Sequence, residues 1–257
     1  MSLHEALLLI GHGSARYPNA GTAMRRLAES LRAGGHFGQV EVAVLNGSPS
    51  PGDALDAIDK PVIRVVPFFM EDGYFTRVAV PQAVSALVMT ERRSGAAYGD
   101  RQFILCPPIG VHDAMAGVLE RQALAACADI VVPSHTAAVL IVGHGSATEP
   151  GRALALRRHA ARVAATTLFA RVEAACLEEA PFVADTLRGL RAHPVVVIGF
   201  FANEGSHVRD DVPALIAAEQ SCRGTSGPVV RFHGTAIDDP TLVPIILDQA
   251  TSLPQRD

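Results

Sequence analysis

Three short segments of this chain gather side chains that can take up a proton or hold a metal ion. Gly11-His12-Gly13-Ser14 returns as Gly143-His144-Gly145-Ser146, 132 residues later. Leu177-Glu178-Glu179-Ala180-Pro181 supplies carboxylates. Gly205-Ser206-His207-Val208-Arg209-Asp210-Asp211-Val212-Pro213 supplies another histidine. Imidazole near neutral pH accepts a proton or binds a borderline divalent metal. Glycine on both sides of His12 and of His144 lets the backbone bend sharply and lets a bulky ligand approach. His144, Glu178 and His207 together suit a divalent metal or a proton-transfer site. The bland alternatives are a histidine that merely bonds its own turn and a Glu178 that is solvated or assists a helix start. Glu179 is the more structural of the two glutamates. Asp211 is expected to cap a helix rather than to bind a ligand.

The elements that must position these residues follow from an internal repeat. Shifted by 132, the chain matches itself without a gap for about seventy residues. Leu8-Leu9-Ile10 falls on Leu140-Ile141-Val142, Phe68-Phe69 on Phe200-Phe201, and Val80-Pro81 on Val212-Pro213. The other candidate site residues do not follow the repeat. His207 falls on Phe75, Glu178 on Asn46, Glu179 on Gly47 and Asp211 on Ala79, so the first half keeps only His12.

Each half alternates short apolar runs with helical patterns. In the first half, strands are predicted at 6–10, 40–45, 62–69 and 103–105. Helices are predicted after Pro18, where Met24, Leu27 and Leu31 share a face, near 78–90 and near 114–126. The second half predicts strands at 138–142, 171–177, 194–201 and 228–232, with helices at 151–168, 181–190, 208–219 and 239–252. Such alternation gives an α/β fold with parallel sheets flanked by helices. Two similar flavodoxin-like lobes are expected to face each other across a cleft, one over 1–128 and one over 137–257, linked by 129–136. Ligands bind at the carboxyl ends of strands in such sheets, and both GHGS turns fall there.

Composition bounds the partners. Apolar residues form 49% of the chain and charged residues 19%, which suits a packed core. A net charge of -4 with no basic run gives no footprint for nucleic acid. No apolar run approaches a membrane span, and the N-terminus has no basic signal region. The four cysteines lack CxxC spacing, so they read as buried thiols of a cytoplasmic protein, not as zinc or cluster ligands.

Taken together, the strand-GHGS turn, the L-E-x-x-P segment and the G-x-H-V-x-x-D-V-P segment resemble the class II chelatases, specifically the CbiX/SirB-type sirohydrochlorin chelatases in their long, two-lobed form. The resemblance covers essentially the whole chain. It implies ATP-independent insertion of Fe2+ or Co2+ into sirohydrochlorin, for siroheme or cobalamin. It also implies that His144 and His207 are the catalytic, metal-handling pair and that Glu178 assists. No tightly bound cofactor is expected, since the metal is a substrate. The absence of a His-rich tail or loop tilts the expected metal toward iron. A fused pair of lobes has less need to dimerise, so a monomer is expected.

Metallation releases pyrrole protons, so the site needs acceptors as well as metal ligands, and imidazole and carboxylate serve both purposes. The carboxylates of the tetrapyrrole need donors. Backbone N–H groups at the helix starts after the GHGS turns are candidates, with Ser14, Ser146, Arg16, Arg77, Arg152 and Arg209. His12 is a possible contributor from across the cleft. His159 reads as a partly buried helix residue, and the Phe-Phe pairs read as strand-end core. A non-enzymatic metal or tetrapyrrole carrier would use the same histidines. A serine hydrolase is disfavoured, because GHGS lacks the G-x-S-x-G elbow.

Overall fold

The computed structural model describes residues 3–14, 21–86 and 101–252. Arg16, Pro18 and the last part of the helix predicted near 78–90 lie outside them. In the first half the elements are β1 (Glu5–Gly13), α1 (Thr22–Ala33), β2 (Gln39–Asn46), α2 (Pro51–Asp56) and β3 (Val62–Pro67). They continue through a π-helical turn, Phe75–Ala79, into α3, described over 80–86, then β4 (Gln102–Leu105) and α4 (Met115–Asp129). The second half runs β5 (Ala138–Gly143), α5 (Leu154–Ala165), β6 (Arg171–Cys176), α6 (Val183–Gly189) and β7 (Val195–Gly199). A second π-helical turn, His207–Asp211, leads into α7 (Val212–Arg223), β8 (Val230–Thr235) and α8 (Leu242–Thr251).

Two four-stranded sheets result, with orders β2-β1-β3-β4 and β6-β5-β7-β8, and every pairing is parallel. This is the flavodoxin-like order. The chain leaves the first strand in one direction to its neighbour and returns to the other side, so that strand and the third flank a switch point. β5 and β7 are buried at every residue, as expected for central strands covered on both faces. In the second half, Leu140, Val142, Val195 and Val197 form one core with Val183 and Leu187 of α6 and with Val212 and Ile216 of α7. Leu8, Ile10, Ile63 and Val65 form the counterpart with Ala54 and Leu55 of α2 and with Val80 and Val84.

The compact units do not follow the repeat boundary near 129–136. One comprises 1–112 with 240–257, the other 113–239. α4 belongs to the second unit, where it packs on α5, β7 and β8, and Gln122 Nε2 donates to the Thr235 carbonyl at 2.8 Å. α8 belongs to the first unit, packing on α1 and β3, and Gln249 Nε2 donates to the Pro108 carbonyl at 2.7 Å. The repeat marks where a sequence was duplicated. Membership of a unit is set by which sheet buries each helix's apolar face.

α2 had no counterpart among the predicted helices of the first half. It is six residues long, too short to show a period. Its start is marked by a capping box: Asp53 N–H donates to Ser50 Oγ at 3.2 Å, and Ser50 N–H to Asp53 Oδ2 at 2.9 Å. Those backbone and side-chain bonds from Ser50 hold the Asp53 carboxyl below its ordinary range.

Candidate active site

Parallel registry brings the three segments of the second half to one sheet edge. Gly143 pairs with Cys176, and Val142 with Gly199, so β5, β6 and β7 end nearly level. Glu178 N–H donates to the His144 carbonyl at 2.9 Å, and Phe200 N–H to the Val142 carbonyl at 2.7 Å. His144 leaves directly from β5, Glu178 follows β6 and His207 opens the turn after β7. The first and third of these strands flank the switch point, where a crevice for a ligand is expected.

The backbone of the GHG turn needs glycine at its third position. Gly145 has φ +74, and a Cβ there would lie 2.6 Å from Glu179 Cγ and 2.7 Å from Cys176 Cβ. Its first-half counterpart, Gly13, has φ +73 and equally little room. There β1 runs on through His12 to Gly13, so that GHG segment ends the strand rather than following it.

The His144 and His207 rings meet edge to face, with centroids 4.6 Å apart and planes at 82°. His144 Nδ1 lies 2.9 Å from the Gly145 carbonyl, which can only accept. Nδ1 therefore carries the proton, and Nε2 of the neutral ring carries the lone pair. His207 Nδ1 lies 2.7 Å from Asp211 Oδ2, which likewise assigns the proton to Nδ1 and the lone pair to Nε2. Glu178 Oε1 is 3.6 Å from His144 Nε2, beyond hydrogen-bond length. Both side chains are nearly half exposed, so their pairing adds little stability and leaves both groups accessible to a third atom. Phe201 stacks on His207, centroids 6.2 Å apart, and is itself buried.

The arrangement thus offers two imidazole lone pairs and a carboxylate. Among the described residues no group of three or more His, Cys, Asp or Glu side chains is disposed to hold a metal ion. The site therefore lacks the closed ligand cage of a structural metal centre.

The first half repeats the scaffold without the chemistry. His12 Nδ1 lies 2.8 Å from the Gly13 carbonyl, and its ring meets Phe75 edge to face at 4.6 Å and 85°. Phe69 stacks on Phe75 at 5.5 Å, as Phe201 does on His207. Phe75 thus occupies the place of His207, with no nitrogen to offer.

Several expected donors are engaged. Arg152 pairs with Glu149 at 2.9 Å, Arg209 with Glu204 at 3.3 Å and Arg77 with Asp72 at 2.8 Å. Ser146 Oγ accepts from Glu149 N–H at 3.0 Å and lies 3.3 Å from Thr148 Oγ1. Ser14 is half-buried at the end of β1. The backbone N–H groups before α5, expected to receive a substrate carboxylate, meet one from the protein itself. Glu179, buried, accepts from Gly151 N–H, from Ala153 N–H at 3.2 Å and from Arg157 Nη2 at 3.2 Å. A helix start attracts whichever anion is nearest, and here that anion is internal.

Asp211 departs from the expected cap, since its side chain makes no cap hydrogen bond and holds His207 instead. His159 is fully buried rather than partly so, its ring 5.7 Å from that of Phe200. Phe68, Phe69, Phe200 and Phe201 are core, as expected, whereas Tyr74 and Phe75 are exposed.

The CbiX family model matches residues 6–126 and again 138–250. A relative from Halobacterium salinarum named as a probable sirohydrochlorin cobaltochelatase is 25% identical over 221 residues, covering 81% of this chain and 75% of its own. Among solved structures, SirB from Bacillus subtilis, determined with Fe3+, superposes with a TM-score of 0.78 at 17% identity, covering 95% of this chain and 93% of SirB. A multi-domain protein from Deinococcus radiodurans, described as structurally similar to chelatases, superposes at 0.81 with 21% identity. It matches all of this chain, which spans 56% of that protein's length. At these identities the structural matches establish the fold.

Proposed function

The chain belongs to the CbiX family, and from that premise we propose that it is a sirohydrochlorin chelatase, inserting Fe2+ or Co2+ into the tetrapyrrole without ATP. The observation that carries this reading is the pair of imidazoles 4.6 Å apart, each with Nδ1 committed to an acceptor and Nε2 carrying a lone pair. A metal on its way into a macrocycle must be held and then released. A pair of neutral imidazoles with one nearby carboxylate suits that better than a closed four-ligand cage. The incoming divalent ion displaces two pyrrole protons. Glu178, exposed and 3.6 Å from His144 Nε2, accepts one, and the second passes to solvent water or to an imidazole Nε2 once that nitrogen has handed the metal to the macrocycle. In this reading His144 and His207 are catalytic and bind the metal, and Glu178 takes up protons. Ser146, Arg152 and Arg209 serve the tetrapyrrole, the arginines exchanging their local carboxylates for those of the substrate.

The test is anaerobic metallation of sirohydrochlorin, followed by absorbance, with Fe2+ and Co2+ offered separately and in competition. Catalytic turnover above the spontaneous rate is expected, together with loss of most of it in His144→Ala and His207→Ala. Stoichiometric binding with no gain in rate would make the protein a carrier. Equivalent loss from His12→Ala alone, with both second-half variants active, would move the site to the first unit. The preferred metal in competition assigns the product to siroheme or to the cobalt branch.

A further inference from the structure

We infer that Asp211 is a positioning residue: it fixes the tautomer and ring orientation of His207, so that Nε2 is presented as a lone pair to the incoming metal. His207 is restrained on three sides. Phe201 stacks on its face, His144 meets it edge to face, and Asp211 Oδ2 accepts a hydrogen bond from Nδ1–H at 2.7 Å. Of these, only Asp211 distinguishes one ring nitrogen from the other. A neutral histidine without such an acceptor distributes its proton between both nitrogens, and the tautomer with the proton on Nε2 cannot bind a metal there. Carboxylates that orient metal-binding imidazoles in this way are a recurrent device.

The duplication supplies an internal control. If Asp211 were needed to start α7, its counterpart would need an equivalent. Yet Ala79 stands there, and the chain still passes through the same π-helical turn, Phe75–Ala79, into a helix over 80–86. Phe75, at the position of His207, has no ring proton to give. The histidine and aspartate of this turn are thus replaced together in the first half, by Phe75 and Ala79, while the turn and the helix persist without them. The aspartate serves the imidazole and not the backbone.

This inference rests on the proposed metallation only for the role of the metal. The tautomer itself is measured without one. The experiment is 15N NMR of histidine side chains in the metal-free full chain, at a pH where the rings are neutral, with His207 assigned by its absence in His207→Ala. Wild type is expected to show a single species protonated on Nδ1. Asp211→Ala is expected to show a mixture of both tautomers, with an unchanged fold by circular dichroism, because the pair is half exposed and adds little stability. Asp211→Asn, whose amide can accept or donate, is the second variant and is expected to fall between them. In the metallation assay Asp211→Ala should raise KM for the metal about 10–100-fold, the range for loss of such an orienting partner, with less effect on KM for the tetrapyrrole. A His207 that keeps a single Nδ1-protonated tautomer in both variants overturns the inference. So does an unchanged metal KM in an active enzyme. Absence of metallation by wild type overturns the functional reading and leaves the tautomer result to decide this one.

Discussion

Replacing Gly145 with alanine tests whether the geometry of the GHG turn, and not merely its histidine, sets the site. At φ +74 an alanine sits in the left-handed region, which costs about 1–2 kcal/mol relative to a relaxed backbone. Its Cβ would also lie 2.6 Å from Glu179 Cγ and 2.7 Å from Cys176 Cβ. Both neighbours are buried and cannot swing away, and overpacking of this kind costs about 1–3 kcal/mol. The sum is roughly 2–5 kcal/mol, a large part of a typical stability of about 5–15 kcal/mol. For a chain of this size that corresponds to a melting temperature lower by roughly 5–15 °C. Gly13→Ala, at φ +73 and against Asn46 and Val44, should cost a similar amount. The two variants part in activity. Gly145 also supplies the carbonyl that holds His144 Nδ1, and displacement of a reacting group by about 1 Å costs on the order of 100-fold. Metallation measured at a temperature where both variants are folded should therefore fall by roughly that factor in Gly145→Ala and stay near wild type in Gly13→Ala. A wild-type melting temperature for Gly145→Ala would refute the steric reasoning. Equal activity losses in the two variants would refute the assignment of the site to the second unit.

Other expected outcomes are as direct. Phe75→Ala should retain much of the metallation activity, most of which His207→Ala is expected to lose, since Phe75 holds only the place of the imidazole. Arg191 and then Arg223 hold the Glu219 carboxyl below its ordinary value, so it stabilises the fold above that value and loses the contribution as pH falls through the folded one. Glu219→Gln should therefore flatten the acid limb of stability and lower stability at neutral pH by about 3 kcal/mol, because Arg223, almost fully buried, loses its charged partner. Denaturant melts from pH 3 to 7 check both, and an unchanged acid limb would refute the linkage. Burial pushes the Cys106 thiol up to about 11, and Cys127 and Cys176 are buried as well, whereas Cys222 is exposed. A thiol alkylating reagent at pH 8 should modify Cys222 in the native protein and the other three only after unfolding, as read by intact mass.

The sequence alone determined what depends on local pattern and on exact offset. Two parallel α/β lobes followed from apolar runs alternating with helical faces, and the loss of chemistry from the first half followed from Phe75, Asn46 and Ala79 read against their partners. The meeting of His144 and His207 was legible too, because parallel strands in register bring their ends to one edge whatever the rest of the chain does. Tertiary structure alone decided which sheet each closing helix covers. α4 and α8 carry similar apolar faces at similar places in the repeat, and only long-range packing distinguishes the alternatives. It also decided the work of the carboxylates. Glu178 and Glu179 are neighbours of one type, yet a buried helix start claims one and solvent the other. Asp211 looks like a cap in one dimension and proves to be the partner of an imidazole, because a side chain bonds to the donor nearest in space, and that distance is written in the fold.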